Sequence, residues 1–287
     1  MELKDINIRD PFVLVYEKTY YMYGTRGETA FTREAFGFDV YISRDLVEWE
    51  GPIEVFSRPE GFFSRRSYWA PEVYHRGGRF FMFATFADTK KGLGTMALTA
   101  DDPRGPFMPW SDGYLTPKDM RCLDGTLYTD KDGKNHIVFC HEWRQVHDGE
   151  ICVLELSDDL KTTVGKPRIL FNASKAKPYA KPFFFRNYIT DGPFLIRTDE
   201  GRLHMLWSTL GKTGYVQAMA HSDNDEIDGN WTPDGELMYD KDGGHGMIFR
   251  DLNGQYQLVL HSPNTFGKEH PLFIPLEYKE GCFSERE

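Results

Sequence analysis

Short runs of apolar residues alternate with polar turns along the whole chain. The first three runs, residues 11–17, 20–25 and 38–45, are rich in Val, Tyr, Phe and Ile, the residue types that β-strands favour. Later runs are joined by dipeptides such as Asp132-Gly133 and Asn253-Gly254, which tolerate the positive φ angles of tight hairpins. No stretch sustains the period and caps of an amphipathic helix. The pattern therefore predicts an all-β protein.

The strands recur as a larger unit. Five times a turn leads into an apolar strand, a polar hairpin and a second apolar strand. Aligned on one position, the openings mark Asp10, Ala70, Asp124, Asp191 and His245, at steps of 60, 54, 67 and 54 residues. Strand repeats of this length are typical of propellers and solenoids. We predict a five-bladed β-propeller with four antiparallel strands per blade, forming a single domain over residues 1–287.

A second periodic feature lies in register with the first. The third predicted strand of the first four blades ends in Ser or Thr followed by acidic residues, in the segments that begin at Ser43, Thr99, Ser157 and Ser222. Such small polar clusters form turns. Two repeats in register favour the propeller over any helical fold.

Composition limits the compartment and the partners. The net charge is −10 and no run of Lys or Arg exceeds a local pair, so nucleic acid is not an expected partner. No apolar stretch reaches the length that a signal peptide or a membrane span needs. The four cysteines form no C-x-x-C pair. We expect a cytoplasmic protein without a membrane partner, or a secreted or periplasmic one if an export signal was removed. A monomer is expected, with an oligomer as the alternative.

The aligned residues suggest chemistry because first strands line the axis of a propeller. Asp10, Asp124, Asp191 and His245 would then share one pocket. Neighbouring carboxylates repel, which raises at least one pKa and separates an acid from a base. Hydrolysis of a glycosidic bond uses such a pair, whereas a calcium or magnesium ion would use the same oxygen ligands. Both interpretations stay open on these residues alone.

Aromatic residues near the same openings fit a sugar pocket, because the apolar faces of sugars stack on aromatic rings. Tyr68 and Trp69 flank the second opening, and Trp143 ends the second strand of blade 3. Glu142 precedes Trp143 and should lie near Asp124, because second strands return to the face where first strands begin. These residues are predicted to border the substrate.

The ordered set of motifs resembles glycoside hydrolase family 43 across the whole chain. The matching segments are Arg9-Asp10-Pro11, Trp69-Ala70-Pro71-Glu72-Val73, Leu123-Asp124-Gly125, Asp191-Gly192-Pro193-Phe194 and Gly244-His245-Gly246. The resemblance implies a five-bladed propeller and an inverting mechanism on α-L-arabinofuranosides or β-D-xylosides in side chains of plant- or microbe-derived oligo- or polysaccharides. It also implies that Asp10 is the general base and that Asp124 modulates the pKa of the acid. Arg9, Tyr68, Trp69, Trp143 and His245 are the expected substrate-binding residues.

The resemblance further implies that His245 is an axial histidine beside calcium or another ion in the central channel, although no cofactor is required. The chain departs from the family at the general acid, where the usual Glu-Gly-Pro is Asp191-Gly192-Pro193. We expect Glu142 to supply the proton, because it restores the missing reach, with Asp191 as the rival acid. Alternatives are a glycosidase for another sugar such as a galactofuranoside, and a carbohydrate-binding propeller without catalysis.

Overall fold

The computed structural model describes residues 1–32, 34–88 and 92–286. Its strands form five four-stranded antiparallel sheets, in each of which sequential strands are neighbours. The blades are β1 (Ile8–Tyr16), β2 (Thr19–Arg26), β3 (Gly37–Ser43) and β4 (Glu50–Ser57); β5 (Arg66–Arg76), β6 (Arg79–Asp88), β7 (Gly92–Ala100) and β8 (Met108–Pro109); β9 (Cys122–Thr129), β10 (Asn135–His141), β11 (Glu150–Leu156) and β12 (Thr163–Asn172); β13 (Asp191–Arg197), β14 (Leu203–Leu210), β15 (Tyr215–Ser222) and β16 (Trp231–Tyr239); and β17 (Gly244–Arg250), β18 (Tyr256–Ser262), β19 (His270–Lys279) and β20 (Cys282–Glu285). The predicted five-bladed β-propeller is confirmed.

Helices contribute little to the described part of the chain. Short 3₁₀ helices span Leu3–Asp5, Gly27–Thr29 and Ala173–Ala176, and one α-helix, α1, spans Trp143–Val146. None of the helices among the described residues has the length and apolar character needed to cross a membrane. All four cysteines are free.

Aromatic packing joins adjacent blades. Between blades 1 and 2, the rings of Phe38, Phe56, Tyr68 and Phe86 lie within 4.9–6.0 Å of one another. The side chains of Phe38, Phe56 and Phe86 are fully buried. Each such ring contributes on the order of 1.5–3 kcal/mol through burial, so this contact holds the two sheets at a fixed angle.

The ring closes where the N-terminal segment meets blade 5. The Asn7 side chain donates a hydrogen bond to the backbone oxygen of Glu269 at 2.8 Å, and Arg9 forms an ion pair with the Glu269 carboxylate at 2.7 Å. The His270 ring lies 2.9 Å from the Ile6 carbonyl oxygen. The closure thus brings the first opening of the chain against its last blade.

Every first strand has an irregular register at its opening. The interruptions lie between Arg9 and Phe12 and at the corresponding places in the other four blades. In each first strand, we call the pair just before the interruption the last regular pair. The first-strand residue that follows this pair has a left-handed backbone. Its φ is 53° at Asp10, 47° at Ala70, 56° at Asp124, 51° at Gly192 and 51° at His245. Non-glycine residues adopt this conformation at a cost of roughly 1–3 kcal/mol, which the surrounding structure must offset.

This register corrects the alignment of blade 4. Asp191 pairs with Ser208 as Arg9 pairs with Thr25, so Gly192, and not Asp191, is the structural equivalent of Asp10. A Cβ atom on Gly192 would lie 2.6 Å from the His245 ring, and φ at Gly192 is positive. Only glycine satisfies both conditions, which moves the blade 4 carboxylate back by one residue.

Candidate active site

The five openings are held together by hydrogen bonds that cross from one blade to the next. In four blades, the second-strand residue of the last regular pair accepts a hydrogen bond through its side chain. The donor is the backbone N–H of the left-handed residue in the next blade. The bonds are Ala70 N–H to Thr25 Oγ1 at 2.8 Å, Asp124 N–H to Thr85 Oγ1 at 2.8 Å, His245 N–H to Ser208 Oγ at 2.8 Å and Asp10 N–H to His261 Nδ1 at 3.2 Å. We call these bonds the seam. They satisfy buried donors and fix Asp10, Asp124 and His245 around the axis.

Asp10 lies at the closure of the ring and is buried. The Thr25 hydroxyl donates to its Oδ2 at 2.6 Å. Burial by itself raises the pKa of Asp10, but His245, Arg9, His261 and the Thr25 hydroxyl together lower it below its ordinary value. The Asp10 carboxylate is therefore ionised over the physiological pH range and free to accept a proton.

The two histidines beside Asp10 are neutral near pH 7. Burial lowers the pKa of His245, and burial with the charge of Arg9 lowers that of His261 to about 3. Because His261 Nδ1 accepts the Asp10 N–H at 3.2 Å, its distance of 3.5 Å from Asp10 Oδ1 is a contact and not an ion pair. Arg9 is thus the permanent positive charge beside Asp10.

Asp124 shares the His245 imidazole with Asp10. His245 Nδ1 is 3.2 Å from Asp10 Oδ1 and 3.7 Å from Asp124 Oδ2, so the imidazole lies between the two carboxyls. Burial, followed by the charges of Asp191 and Asp10, raises the pKa of Asp124 well above its ordinary value. Its Oδ2 accepts the backbone N–H of Gly192 at 3.2 Å. Asp124 therefore favours the protonated form.

Asp191 is the third carboxyl of the group. Tyr215 donates its hydroxyl to Asp191 Oδ2 at 3.2 Å. Burial, followed by the charge of Asp10, raises the pKa of Asp191 to about 7, although Tyr215 and Arg9 oppose the shift. Asp191 can thus hold a proton near neutral pH while Asp10 is ionised.

Glu142 precedes α1 and is also buried. Its carboxylate is bound by Arg121 Nε at 2.7 Å and approached by Arg144 Nε at 3.5 Å. The charge of Glu142 acts on Asp191, so the two carboxyls belong to one electrostatic group. Glu142 is thus held by two guanidiniums.

The residues present do not form a cation site by themselves. Across residues 1–32, 34–88 and 92–286, no three His, Cys, Asp or Glu side chains are arranged to hold a metal ion. The Nδ1 atom of His245, the expected axial ligand, lies against Asp10. A channel ion beside His245 would need most of its ligands from water.

Comparison with known proteins places this geometry in a family. The sequence profile of Glycosyl hydrolases family 43 matches residues 5–283. The chain belongs to glycosyl hydrolase family 43. The family-level prediction from the sequence motifs is therefore confirmed.

Several family 43 relatives resemble this chain. An endo-arabinase structure from Bacteroides thetaiotaomicron VPI-5482 superposes with a TM-score of 0.89 at 37% identity, covering 98% of both chains. A beta-xylosidase of Bacillus subtilis is 24% identical over 78% of this chain and 43% of its own length. A non-reducing end alpha-L-arabinofuranosidase of Bacteroides ovatus is 29% identical over 32% of this chain and 19% of its own. The chain thus spans less than half the length of these two curated relatives.

Exposed and half-buried aromatic side chains form two clusters near residues of the site. Phe31, from the β2–β3 connection, lies 6.1 Å from Trp69, 5.9 Å from Phe266 and 5.0 Å from the Arg9 guanidinium, measured to ring centroids. We call Phe31, Trp69 and Phe266 the blade 1 aromatic cluster. Phe31 thus joins Trp69 to the Arg9 guanidinium.

In the second cluster, Trp143 packs on Phe183 at 5.6 Å, and Phe183 packs on Phe184 at 4.4 Å. We call these three rings the blade 3 aromatic cluster. The segment that carries Phe183 and Phe184 precedes Asp191 in the chain, and Trp143 follows Glu142, whose charge acts on Asp191.

Tyr68 differs from its expected role. Its side chain is 3% exposed, and its hydroxyl donates to the backbone oxygen of Ser64 at 2.7 Å. The ring packs between blades 1 and 2, because it points to the opposite face of β5 from Trp69. Tyr68 therefore supports the strand that presents Trp69 and does not border the substrate.

Several residues of the site were missed by the sequence analysis. Thr25 and His261 touch Asp10, Tyr215 binds Asp191, and Glu269 holds Arg9. Thr25 and His261 are each the second-strand member of a last regular pair. Aligning the second strands as well as the first would have found these two. Tyr215 and Glu269 lie in the third strand of blade 4 and just before β19, where no repeat marks them.

Proposed function

We propose that this chain is an inverting glycosidase in which Asp10 is the general base, Asp124 tunes the acid, and Asp191 is the general acid. The whole propeller is the catalytic unit. Asp191 replaces Glu142, which the motifs alone favoured, because Glu142 is tied to Arg121 and Arg144.

The observation that carries this proposal is the separation of protonation states within one buried group. The pKa of Asp10 lies below its ordinary value, whereas burial and Asp10 raise the pKa of Asp191 to about 7. Hydrolysis with inversion needs one ionised and one protonated carboxyl on opposite sides of the scissile bond. Carboxyls whose environments push their pKa values apart are the usual acid and base pair.

The reaction follows from these states. Asp10 takes a proton from a water molecule as the water oxygen attacks the anomeric carbon. Asp191 gives its proton to the glycosidic oxygen as the bond from that oxygen to the anomeric carbon breaks. The products are a sugar of inverted configuration and a leaving group with a new hydroxyl. Asp191 then regains a proton and Asp10 loses one to solvent.

We propose arabinan-type substrates first and β-D-xylosides second. The names of the relatives support this order, since the structure at 37% identity is an endo-arabinase and the curated relatives are a beta-xylosidase and an alpha-L-arabinofuranosidase. The two aromatic clusters, one beside Arg9 and one that begins next to Glu142, offer rings on which the apolar faces of sugars stack.

A screen of aryl glycosides and oligosaccharides tests the function. The wild type should hydrolyse an α-L-arabinofuranoside or a β-D-xyloside, and the first product seen by proton NMR should have inverted configuration. Asp10→Ala should be inactive on every substrate. Sugar binding without turnover would instead support the carbohydrate-binding alternative, and turnover of a galactofuranoside alone would replace the substrate.

A pair of isosteric variants tests the acid. Asp191→Asn should lose about 10²–10⁴-fold in kcat on oligosaccharides but much less on aryl glycosides, whose leaving groups need no proton. The alkaline limb of the rate profile, expected near pH 7 because Asp191 must stay protonated, should disappear. Glu142→Gln should keep that limb. The reverse pattern would return the acid to Glu142.

The ion expected beside His245 stays a separate prediction. Dialysis against EDTA should lower Tm, and added calcium should restore it. An unchanged Tm after dialysis speaks against the ion.

A further inference from the structure

Blade 3 breaks the chemical pattern of the seam at one residue. Cys140 pairs with Leu123 on the first strand, in the register position that Thr25, Thr85, Ser208 and His261 hold in the other blades. Four blades therefore place a hydroxyl or an imidazole there, and blade 3 places a thiol. A thiol is a weak donor and a weak acceptor.

The backbone N–H that should bond to this position goes elsewhere. Gly192 is the left-handed residue of the next blade, and its N–H donates to Asp124 Oδ2 at 3.2 Å. In the other four blades the equivalent N–H donates to the seam side chain. The thiol thus coincides with a backbone donor aimed at a carboxyl of the site.

The hydroxyl of blade 1 shows what the thiol withholds. Thr25 accepts the Ala70 N–H at 2.8 Å and donates its own proton to Asp10 Oδ2 at 2.6 Å. A hydroxyl at position 140 would stand in the same relation to Gly192 and Asp124. Cys140 is fully buried, and burial with the charges of Asp124 and Asp191 raises the pKa of its thiol. The side chain therefore stays an uncharged S–H.

We propose that Cys140 is a positioning residue for Asp124: by placing a thiol in the seam, it leaves the Gly192 N–H to hold the Asp124 carboxyl and withholds the hydroxyl donor that Asp10 receives. The role rests on the proposed function, in which Asp124 tunes the acid. The consequence is that Asp124 keeps its proton to a higher pH than Asp10 does.

The test compares Cys140→Thr with Cys140→Ala. Threonine supplies a donor that Asp124 lacks, and a short O–H bond to a carboxylate is stronger than a longer N–H bond. The titration midpoint of Asp124 should fall by about one pH unit. Alanine removes the thiol without adding a donor, so the midpoint should stay at the wild-type value. The midpoint is read by NMR of protein labelled with carboxyl-¹³C aspartate, with Asp124→Asn to assign the signal.

Two further variants serve as a matched control and as a reciprocal exchange. Cys152→Thr places the same hydroxyl at another fully buried cysteine of blade 3 and should leave Asp124 unchanged. Thr25→Cys makes the reciprocal exchange in blade 1 and should raise the midpoint of Asp10. If threonine at 140 prevents folding, Cys140→Ser, which lacks the additional methyl group, carries the same prediction.

The outcomes separate this inference from the proposed function, because the NMR titration needs no turnover. An Asp124 midpoint that is unchanged in folded Cys140→Thr and Cys140→Ser overturns the role of Cys140, as does an equal shift in Cys140→Ala. A shifted midpoint in a protein that hydrolyses no glycoside keeps the role and removes the function.

Discussion

Blades 1 and 3 build the same backbone site and place in it carboxyls of opposite protonation. Asp10 and Asp124 both follow the last regular pair of a first strand, with φ of 53° and 56°, and both are buried. The pKa of Asp10 lies below its ordinary value, whereas burial, Asp191 and Asp10 raise that of Asp124 well above it. Backbone position alone therefore does not decide the role of an aspartate here.

The difference comes from the neighbours of each carboxyl in sequence, across the strand pair and in space. The residue before Asp10 is Arg9, and the residue before Asp124 is Leu123. The side chain across the strand pair is Thr25 in blade 1 and Cys140 in blade 3. In space, Asp10 meets two neutral imidazoles, whereas Asp124 feels the charge of Asp191. Burial raises both pKa values, and only blade 1 supplies enough positive charge and donors to reverse the effect.

The largest expected effect is on kcat. Asp10→Asn should lower kcat by about 10³–10⁴-fold, because the amide cannot accept the proton of the attacking water. Asp124→Asn should lower it by only about 10–100-fold, because the amide resembles the protonated carboxyl that blade 3 favours. Steady-state rates of both variants on one oligosaccharide test the contrast. Equal losses would mean that Asp124 works as an anion and that the two blades do not differ in protonation.

The next effect is on two quantities, the stability of the fold and the acid limb of the pH profile of kcat/KM. We assign the acid limb to protonation of Asp10. Arg9→Met should destabilise the fold by about 3–5 kcal/mol, because it leaves the fully buried Glu269 carboxylate without its partner. It should also move the acid limb to higher pH, since Asp10 must be ionised and its pKa rises when the cation is lost. Denaturant unfolding and the pH dependence of kcat/KM measure the two effects.

A double variant separates the effect on stability from the effect on the acid limb. Arg9→Met with Glu269→Gln should recover most of the stability, because no buried charge is left unpaired, but the acid limb should stay displaced. Leu123→Met, the matched change in blade 3, should leave both quantities near wild type. A limb that returns with the stability would show that the Arg9 charge does not act on Asp10.

The repeat in the sequence predicts the fold well because strand pattern and turn chemistry are local. The glycine of Asp132-Gly133 and the aromatic run of β6 need no distant partner to indicate a hairpin and a strand. The same logic located Asp10 and Asp124, since each leads a first strand. It placed Asp191 one residue out of register, because the bulge in blade 4 is fixed by the pairing of Asp191 with Ser208 and of Phe194 with Leu206.

The protonation states of the carboxyls could not be predicted from the sequence. The pKa of Asp10 depends on Thr25, which is 15 residues away, and on His261, which is 251 residues away. Glu142 looked like the better acid by its length, but its ion pairs with Arg121 and Arg144 appear only once α1 folds beside β9. Tyr68 and Trp69 are adjacent in sequence and differ only in the face of the strand to which they point.

A smaller effect distinguishes the seam hydroxyls of blades 1 and 2. Thr25→Val and Thr85→Val should each cost about 1–3 kcal/mol of stability, because each leaves a buried backbone N–H without an acceptor. Only Thr25→Val should also move the acid limb to higher pH, because Thr25, unlike Thr85, donates to Asp10. Thermal unfolding and the pH dependence of kcat/KM on an oligosaccharide measure both. A displaced limb in Thr85→Val would mean that the seam acts through the backbone and not through the hydroxyl.

The smallest expected effect divides the two aromatic clusters. The leaving group bonds to the oxygen that Asp191 protonates, so the blade 3 aromatic cluster should contact the leaving-group sugar. Trp143→Ala should then raise KM about 5-fold, or about 1 kcal/mol, for oligosaccharides and leave aryl glycosides unaffected. Phe31→Ala, which removes a ring beside Arg9, should weaken both substrates. Phe185→Ala serves as the control, because that side chain is 99% exposed on the same segment as Phe183 and Phe184. A loss on aryl glycosides in Trp143→Ala would place the blade 3 aromatic cluster against the hydrolysed sugar and exchange the roles of the two sides.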